Sequence, residues 1–298
     1  MSGNRYLVVG GDSLVGGGLY RALENRGHAP LISTRRPDTV GERRVFLDFE
    51  NEASFRVPAE VGYAFIVAAA TNYDRCEKDP LAYRINVELI PNLVRSLLEQ
   101  GVFVTFISTN SVFGGDQEWP DEDAQHAPGI AYAKQKAEAE KRILALVERL
   151  QAHDKLNIVR LTKILNKDTS PIPGWLSSWR RNESVQPFSD LIFAPMSVGF
   201  VGESLAVIGE RRISGNLHLS GERNVSYVDF AKSLSAQLGF ASSLIEATTS
   251  VEKGVHIPFK PRFSGLGMRK TSRLTGLQPQ SLESVTGDLA REIRAINP

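Results

Sequence analysis

Tyr132 and Lys136 stand four residues apart in the stretch Ala131-Tyr132-Ala133-Lys134-Gln135-Lys136. The run from Ala131 to Leu150 is rich in Ala, Glu, Lys and Leu and holds neither Gly nor Pro, so it predicts a helix of more than four turns. On that helix the two side chains share a face, with Cβ atoms about 5–6 Å apart. An ammonium beneath a phenol favours its ionised form, which makes Tyr132 a candidate proton donor. The same pair also describes a half-buried packing tyrosine with a hydrogen-bonded hydroxyl, so the elements around it must decide.

The first of these elements is Arg5-Tyr6-Leu7-Val8-Val9, a β-forming run that ends at Gly10-Gly11-Asp12-Ser13-Leu14-Val15-Gly16-Gly17-Gly18 before the helical Leu19 to Glu24. Strand, glycine turn and helix in that order suit a dinucleotide, because glycines let the backbone approach a pyrophosphate and the helix N-terminus favours its charge. Ser13 stands where a middle glycine is usual, and its hydroxyl could donate to a phosphate. A second strand is predicted over Ala29–Ser33. It ends at Thr34-Arg35-Arg36 with no acid, and guanidinium groups there suit the 2′-phosphate of NADP better than the ribose diol of NAD. Asp38 would blunt their field. After the third strand, Arg44 to Asp48, Asp48 reaches the adenine or caps a loop, with Phe49 beside it.

Val61 to Ala70 is a near-continuous apolar run, as a strand buried on both faces should be. Its small end, Ala68-Ala69-Ala70, lets a cofactor lie against the sheet. Thr71-Asn72-Tyr73-Asp74 follows on a loop open to substrate, where Asp74 reads equally as a helix cap. Leu81 to Gln100 predicts one long helix, interrupted in character by Asn86 and irregular at Pro91. Val102 to Ile107 is a fifth strand that delivers Ser108-Thr109-Asn110-Ser111 to the edge where ligands of open parallel sheets bind.

Composition excludes several classes. The 298 residues, 42% hydrophobic, can fill a substantial core. The net charge of +1 is made of interspersed signs, so neither a nucleic-acid partner nor a membrane surface is expected. The longest apolar stretch, Ala64 to Ala70, is too short to cross a bilayer, and a cytoplasmic protein is expected. One cysteine, Cys76, and five scattered histidines suggest no disulfide, thiol or metal chemistry.

Taken together, these segments resemble the extended short-chain dehydrogenase/reductases, particularly the dTDP-4-dehydrorhamnose reductase branch. The likeness lies in the glycine turn, Asp74 to Pro80 with Asn86 behind it, Ile107 to Gly114, Tyr132 with Lys136, Arg160-Leu161, Gly215 to Gly221 and Ser226 to Phe230. It implies a Rossmann-like doubly wound α/β fold: an NADP-binding domain over 1–165, rejoined by about 196–222, and a discontinuous substrate domain over 166–298. It also implies Thr109, Tyr132 and Lys136 as catalytic residues. Tyr132 would protonate a carbonyl oxygen that Thr109 also hydrogen-bonds, while Lys136 touches the nicotinamide ribose and lowers the tyrosine's pKa. A lowering of two to three units asks for about 3–4 kcal/mol.

Two departures from that branch loosen the substrate assignment. Arg160-Leu161-Thr162-Lys163-Ile164-Leu165 lacks the tryptophan usual after the strand-end arginine, and Lys260-Pro261-Arg262-Phe263-Ser264 replaces the usual Arg-Pro pair. Trp175 and Trp179 beside Arg180 and Arg181 read as a base-stacking, phosphate-gripping surface or as a small core under a cationic one. Further helices are expected over 204–209, 228–238 and 282–296. The candidate substrate residues are Thr71, Tyr73, Asn110, Lys163, Trp175 and Arg262. The leading expectation is an NADP(H)-dependent reductase of a keto group on a nucleotide-activated sugar, with NAD(H) the second choice of cofactor. Alternatives are an epimerase or dehydratase, which would want acids where Asn110-Ser111 stand, a regulatory NADP-binding subunit, and a reductase of another carbonyl. A homodimer stays open as the assembly.

Overall fold

Short apolar strands alternate with helices along the chain, and the computed structural model, which describes residues 5–50 and 57–295, resolves them into one parallel sheet with helices on both faces. The strands in chain order are β1 (Arg5–Val9), β2 (Leu31–Thr34), β3 (Arg44–Phe46), β4 (Val61–Ile66), β5 (Phe103–Thr109) and β6 (Leu156–Leu161). Later come the short β7 (Lys163–Leu165), β8 (Ile192–Phe193) and β9 (Pro195–Ser197), then β10 (Gly215–Leu219) and β11 (Val225–Ser226). The main sheet runs β10-β6-β5-β4-β1-β2-β3. The chain leaves β1 outward through β2 and β3 and returns to β4 on the other side, so the sheet changes direction between β1 and β4. A crevice opens at the carboxyl ends of strands flanking such a switch point.

The helices are α1 (Leu14–Asn25), α2 (Tyr73–Lys78), α3 (Pro80–Arg84), α4 (Ile90–Glu99), α5 (Ala131–Leu150), α6 (Ile172–Arg180), α7 (Val198–Arg211), α8 (Tyr227–Leu238), α9 (Arg269–Thr275) and α10 (Leu282–Arg294). Strand side chains alternate between two cores. Val104 and Phe106 pack with Leu97 of α4 and Ile143 of α5, whereas Phe103 and Ile107 pack on the side of Leu19 of α1 and Leu205 of α7. On that second side α1 and α7 touch through glycines: a Cβ on Gly202 would stand 2.7 Å from the Gly18 carbonyl oxygen. A third core joins α6, α8 and α10.

Several predicted boundaries move. The fourth strand stops at Ile66 rather than Ala70, because the Val67 and Ala68 amides both turn to the Val9 carbonyl. The fifth strand gains Ser108 and Thr109. The single helix over 81–100 is α3 and α4 joined by a π-helical turn, Ile85–Leu89. Pro91 has no amide hydrogen for the carbonyl four residues back, Val87, and the Arg142 guanidinium takes that carbonyl at 3.1 Å. The helix expected over 204–209 extends across Val198–Arg211. Of the helix expected to 296, α10 covers Leu282–Arg294, and Ile296 lies outside the described residues.

Candidate active site

A cleft of about 710 Å³ opens over the ends of β1, β2 and β4. Gly10 has φ +94°, and a Cβ there would lie 2.7 Å from the Ala68 amide nitrogen, so only glycine lets the turn meet the β4 loop. Ser13 caps α1: its Oγ accepts from the Gly16 amide at 3.0 Å and donates to the Gly10 carbonyl at 2.7 Å. Its hydrogen therefore closes the turn instead of pointing to a phosphate, which corrects the expected role. Gly10, Ser13, Thr34, Arg35, Arg36, Asp48, Phe49, Ala68, Ala69, Ala70 and Thr71 line the cleft. Asp12 of the turn lines it too, but the other turn residues expected to hold the cofactor, Leu14, Val15 and Gly16, do not. Leu14 is 36% exposed at the helix start, Val15 packs on the core beneath, and Gly16 is buried against Gly10.

At the end of β2 the structure corrects the charge pattern. The residues directly after β2, Arg35 and Arg36, include no acid, yet Asp12 reaches there from the glycine turn. Its carboxylate accepts from Thr34 Oγ1 at 2.7 Å, Arg36 Nη2 at 2.8 Å and Arg44 Nη1 at 3.1 Å. Burial opposes its charge, but the hydrogen bonds from Arg36, Thr34 and Arg44 outweigh that and hold the carboxyl below its usual range. Asp12, rather than Asp38, is the carboxylate bonded to Arg36. Asp48 accepts from the Glu50 amide at 3.1 Å, as a loop-capping carboxylate does.

Ala70 of the cleft wall packs in a small cluster with Cys76, Ala82, Ala131 and Tyr132; Thr109, Tyr132 and Lys136 do not themselves line the cleft. Asn86, 1% exposed, clips this corner: its Oδ1 accepts from the Ala70 amide at 2.9 Å, and its amide donates to the Ala70 carbonyl at 2.9 Å and to Gln135 Oε1 at 2.8 Å. The polar interruption seen at Asn86 is thus the fastening between the cleft wall and α5. Tyr73 lies with its ring 5.7 Å from that of Tyr132. Thr109, at the end of β5, lies close enough to the Tyr132 hydroxyl to favour its ionised form; its Oγ1 hydrogen-bonds Ser111 Oγ at 3.1 Å and accepts from the Ser111 amide at 3.2 Å.

The expected lowering of the Tyr132 pKa is not found. Burial, then Tyr73 and Cys76, push it above 10, with only the Thr109 hydrogen bond acting downward. The cause is where Lys136 goes: its Nζ donates to the Ile107 carbonyl at 2.6 Å and lies 3.9 Å from the Phe106 ring centre. Burial lowers Lys136 itself to about 7, with Glu140 opposing.

One turn below Lys136 is a network that pattern reading missed. Glu140, wholly buried, pairs with Arg160 at 2.8 Å and His126 at 3.3 Å and accepts from Ser108 Oγ. Arg160 continues to the Glu122 carbonyl at 3.0 Å and His218 Nε2 at 3.2 Å. The available signal was the i, i+4, i+8 alignment of Tyr132, Lys136 and Glu140, which puts all three on one helical stripe.

The substrate candidates scatter. Thr71 lines the cleft and Tyr73 stands at Tyr132, but Asn110 spends its amide on the Ser264 carbonyl and hydroxyl at 2.8 and 3.0 Å. It is a tether holding the 260s loop against β5, not a free donor. The same loop carries exposed Arg262, whose guanidinium lies 5.1 Å from the Phe263 ring centre. Lys163 is exposed on β7, with enough protein around its ammonium to lower its pKa by desolvation. Trp175 is the clear correction. It is 7% exposed and packs with Trp179, Phe230 and Tyr227 in the third core, leaving no face for a base.

The residues fit a nicotinamide dinucleotide: a glycine turn without side chains, a capped helix N-terminus, a floor of three alanines, and guanidiniums at the ribose end. Comparison with known proteins agrees. A probable low-salt glycan biosynthesis reductase of Haloferax volcanii is 25% identical over 289 residues, covering 93% of this chain and 94% of its own. The dTDP-4-dehydrorhamnose reductase of Aggregatibacter actinomycetemcomitans is 24% identical over 292 residues, covering 92% and 94%. In fold, the chain superposes on the dTDP-4-dehydrorhamnose reductase of Bacillus anthracis solved with NADP, with a TM-score of 0.79, 22% identity and coverage of 97% and 99%. The family model described as RmlD substrate binding domain matches residues 4–294, so the chain belongs to that family, within the extended short-chain dehydrogenase/reductase fold.

Proposed function

We propose that this protein is an NADP(H)-dependent reductase acting on a keto group of a nucleotide-activated sugar. The observation that carries the reading is the approach of the Thr109 hydroxyl to the Tyr132 phenol, which packs behind Ala70 on the wall of a cleft that suits a dinucleotide. The names of the two relatives, both reductases and one of a nucleotide sugar, support it.

When bound, the reduced nicotinamide supplies the hydride. The chain's own part is proton delivery and alignment. Tyr132, kept neutral by burial, holds the proton that the substrate oxygen requires, and Thr109 donates to the same oxygen. Lys136 would offer a donor to the nicotinamide ribose on releasing the Ile107 carbonyl, and its ammonium would then come near the tyrosinate left behind. Gly10, Ala68 and Ala69 admit the pyrophosphate and ribose; Arg35 and Arg36 recognise the 2′-phosphate. We assign residues 1–165, rejoined by about 196–222, to cofactor binding and 166–298 to the substrate side, with Thr71, Tyr73, Lys163 and Arg262 the candidate groups for the sugar nucleotide.

Isotope transfer tests this directly. With NADPH deuterated at its transferring position and a panel of nucleotide keto-sugars, the label should appear on the former carbonyl carbon of one product, with stoichiometric loss of NADPH. Conversion without net NADPH loss would instead assign an epimerase. NADPH binding with no conversion across the panel would favour a regulatory subunit.

A further inference from the structure

The ribose end of the cleft holds two opposing signals. Arg35, Arg36 and Arg44 gather there as a 2′-phosphate would need, and Arg35 makes no hydrogen bond or ion pair among the described residues. Yet a carboxylate already sits between two of them. Asp12 accepts from Arg36 at 2.8 Å and from Arg44 at 3.1 Å, and its other oxygen accepts from Thr34, the last residue of β2, at 2.7 Å. A carboxylate beside the end of β2 is what accepts from the ribose hydroxyls of NAD, whereas arginines there suit the phosphate of NADP. This chain offers both, the acid coming from the glycine turn.

We propose that Asp12 is a selectivity-determining residue that narrows the preference for NADP(H) over NAD(H), by standing as an internal anion between the arginines that would hold the 2′-phosphate. The inference rests on the reading of the cleft as a nicotinamide-dinucleotide site. Three physical points carry it. A 2′-phosphate carries up to two negative charges at neutral pH and must share Arg36 and Arg44 with a like-charged group. The pairs are wet, with side-chain exposures of 60% for Arg36, 39% for Arg44 and 30% for Asp12, so they can rearrange and the carboxylate tempers phosphate binding without preventing it. And in NAD(H), which lacks the phosphate, the same carboxylate has hydroxyls to accept from instead of a charge to repel.

The test is a calorimetric titration of the purified protein with NADPH and with NADH, needing no turnover. The wild-type chain should bind both, NADPH more tightly. In Asp12→Asn, loss of the like charge should tighten NADPH by about tenfold and weaken NADH, so the affinity ratio widens. Asp12→Ala, which also removes the acceptor, should widen it at least as far and guards against a peculiarity of the amide. An affinity ratio that stays put or narrows in both variants, with circular dichroism showing folded protein, overturns the inference while leaving the reductase reading intact. If the wild-type chain binds neither cofactor, both are overturned.

Discussion

At the level of single residues, the Lys136 ammonium does not sit beneath the Tyr132 phenol as their spacing alone suggests. The i,i+4 pairing was legible because helix geometry fixes it, but the direction of the ammonium was not: the Ile107 carbonyl and the Phe106 face lie on a strand distant in sequence. A buried lysine pushed down from 10.5 to about 7 takes up fewer protons folded than unfolded between those values. The folded state therefore gains stability as pH rises from about 7 towards 10.5, and pays for the buried charge below that window. Lys136→Met should accordingly raise the melting temperature near pH 6 and flatten its rise between pH 7 and 10; an unchanged slope would contradict the burial of the charge. Trp175 shows the opposite limit of sequence reading, since aromatics beside arginines describe a stacking surface and a capped core equally well. Only the packing on Trp179, Tyr227 and Phe230 separates them.

Among the elements, what matters is how α5 is fastened to its neighbours. Asn86 ties it to the cleft wall through Gln135 and Ala70, and Glu140 ties it to β5 and β6 through Ser108 and Arg160. Sequence located Asn86 as an irregularity and Arg160 as a strand end, but not their partners, which arrive from other elements. Asn86→Leu leaves the Ala70 amide and Gln135 Oε1 unpaired in a buried corner, with the Cys76 thiol still donating to the Ala70 carbonyl, and should cost about 2–4 kcal/mol in urea denaturation. Its NADPH affinity should fall as well, because Ala70 lines the cleft. Glu140→Gln strands the Arg160 charge and should cost about 3–5 kcal/mol. In the native chain, burial raises the Glu140 pKa, but hydrogen bonds from His126, Arg160 and Ser108 more than reverse this and hold it at about 2. Its contribution is therefore complete above the unfolded carboxyl range and lost as pH falls through that range towards 2. His218, lowered from 6.5 to about 4 by burial and then by Arg160, stays neutral in the fold and removes stability as pH drops across that interval. Acid denaturation should thus begin below about pH 6.5 and steepen below 4.5.

Across the whole molecule, the parallel sheet and its crevice were legible because apolar strands alternating with helices leave few topologies. Return of the segment around Leu217 to the main sheet was expected from resemblance, and its pairing with β6, Leu217 opposite Val159, shows where it docks. The backbone contact of α1 with α7 had no sequence signal, since Gly18 and Gly202 are glycines among many. Gly202→Val should force those helices apart and lower the melting temperature by several degrees, on the order of a 1–3 kcal/mol overpacking cost. The central claim joins all three scales: the sheet opens a cleft, the fastened helix brings Tyr132 against Ala70 of its wall, and in the proposed reaction the phenol gives its proton to a carbonyl. The most direct measurement is single-turnover NADPH oxidation with a nucleotide keto-sugar by the wild-type chain and by Tyr132→Phe, alongside NADPH affinity for each. The account predicts equal affinity and a rate reduced about a hundredfold or more in the variant; an unimpaired rate in Tyr132→Phe would contradict it.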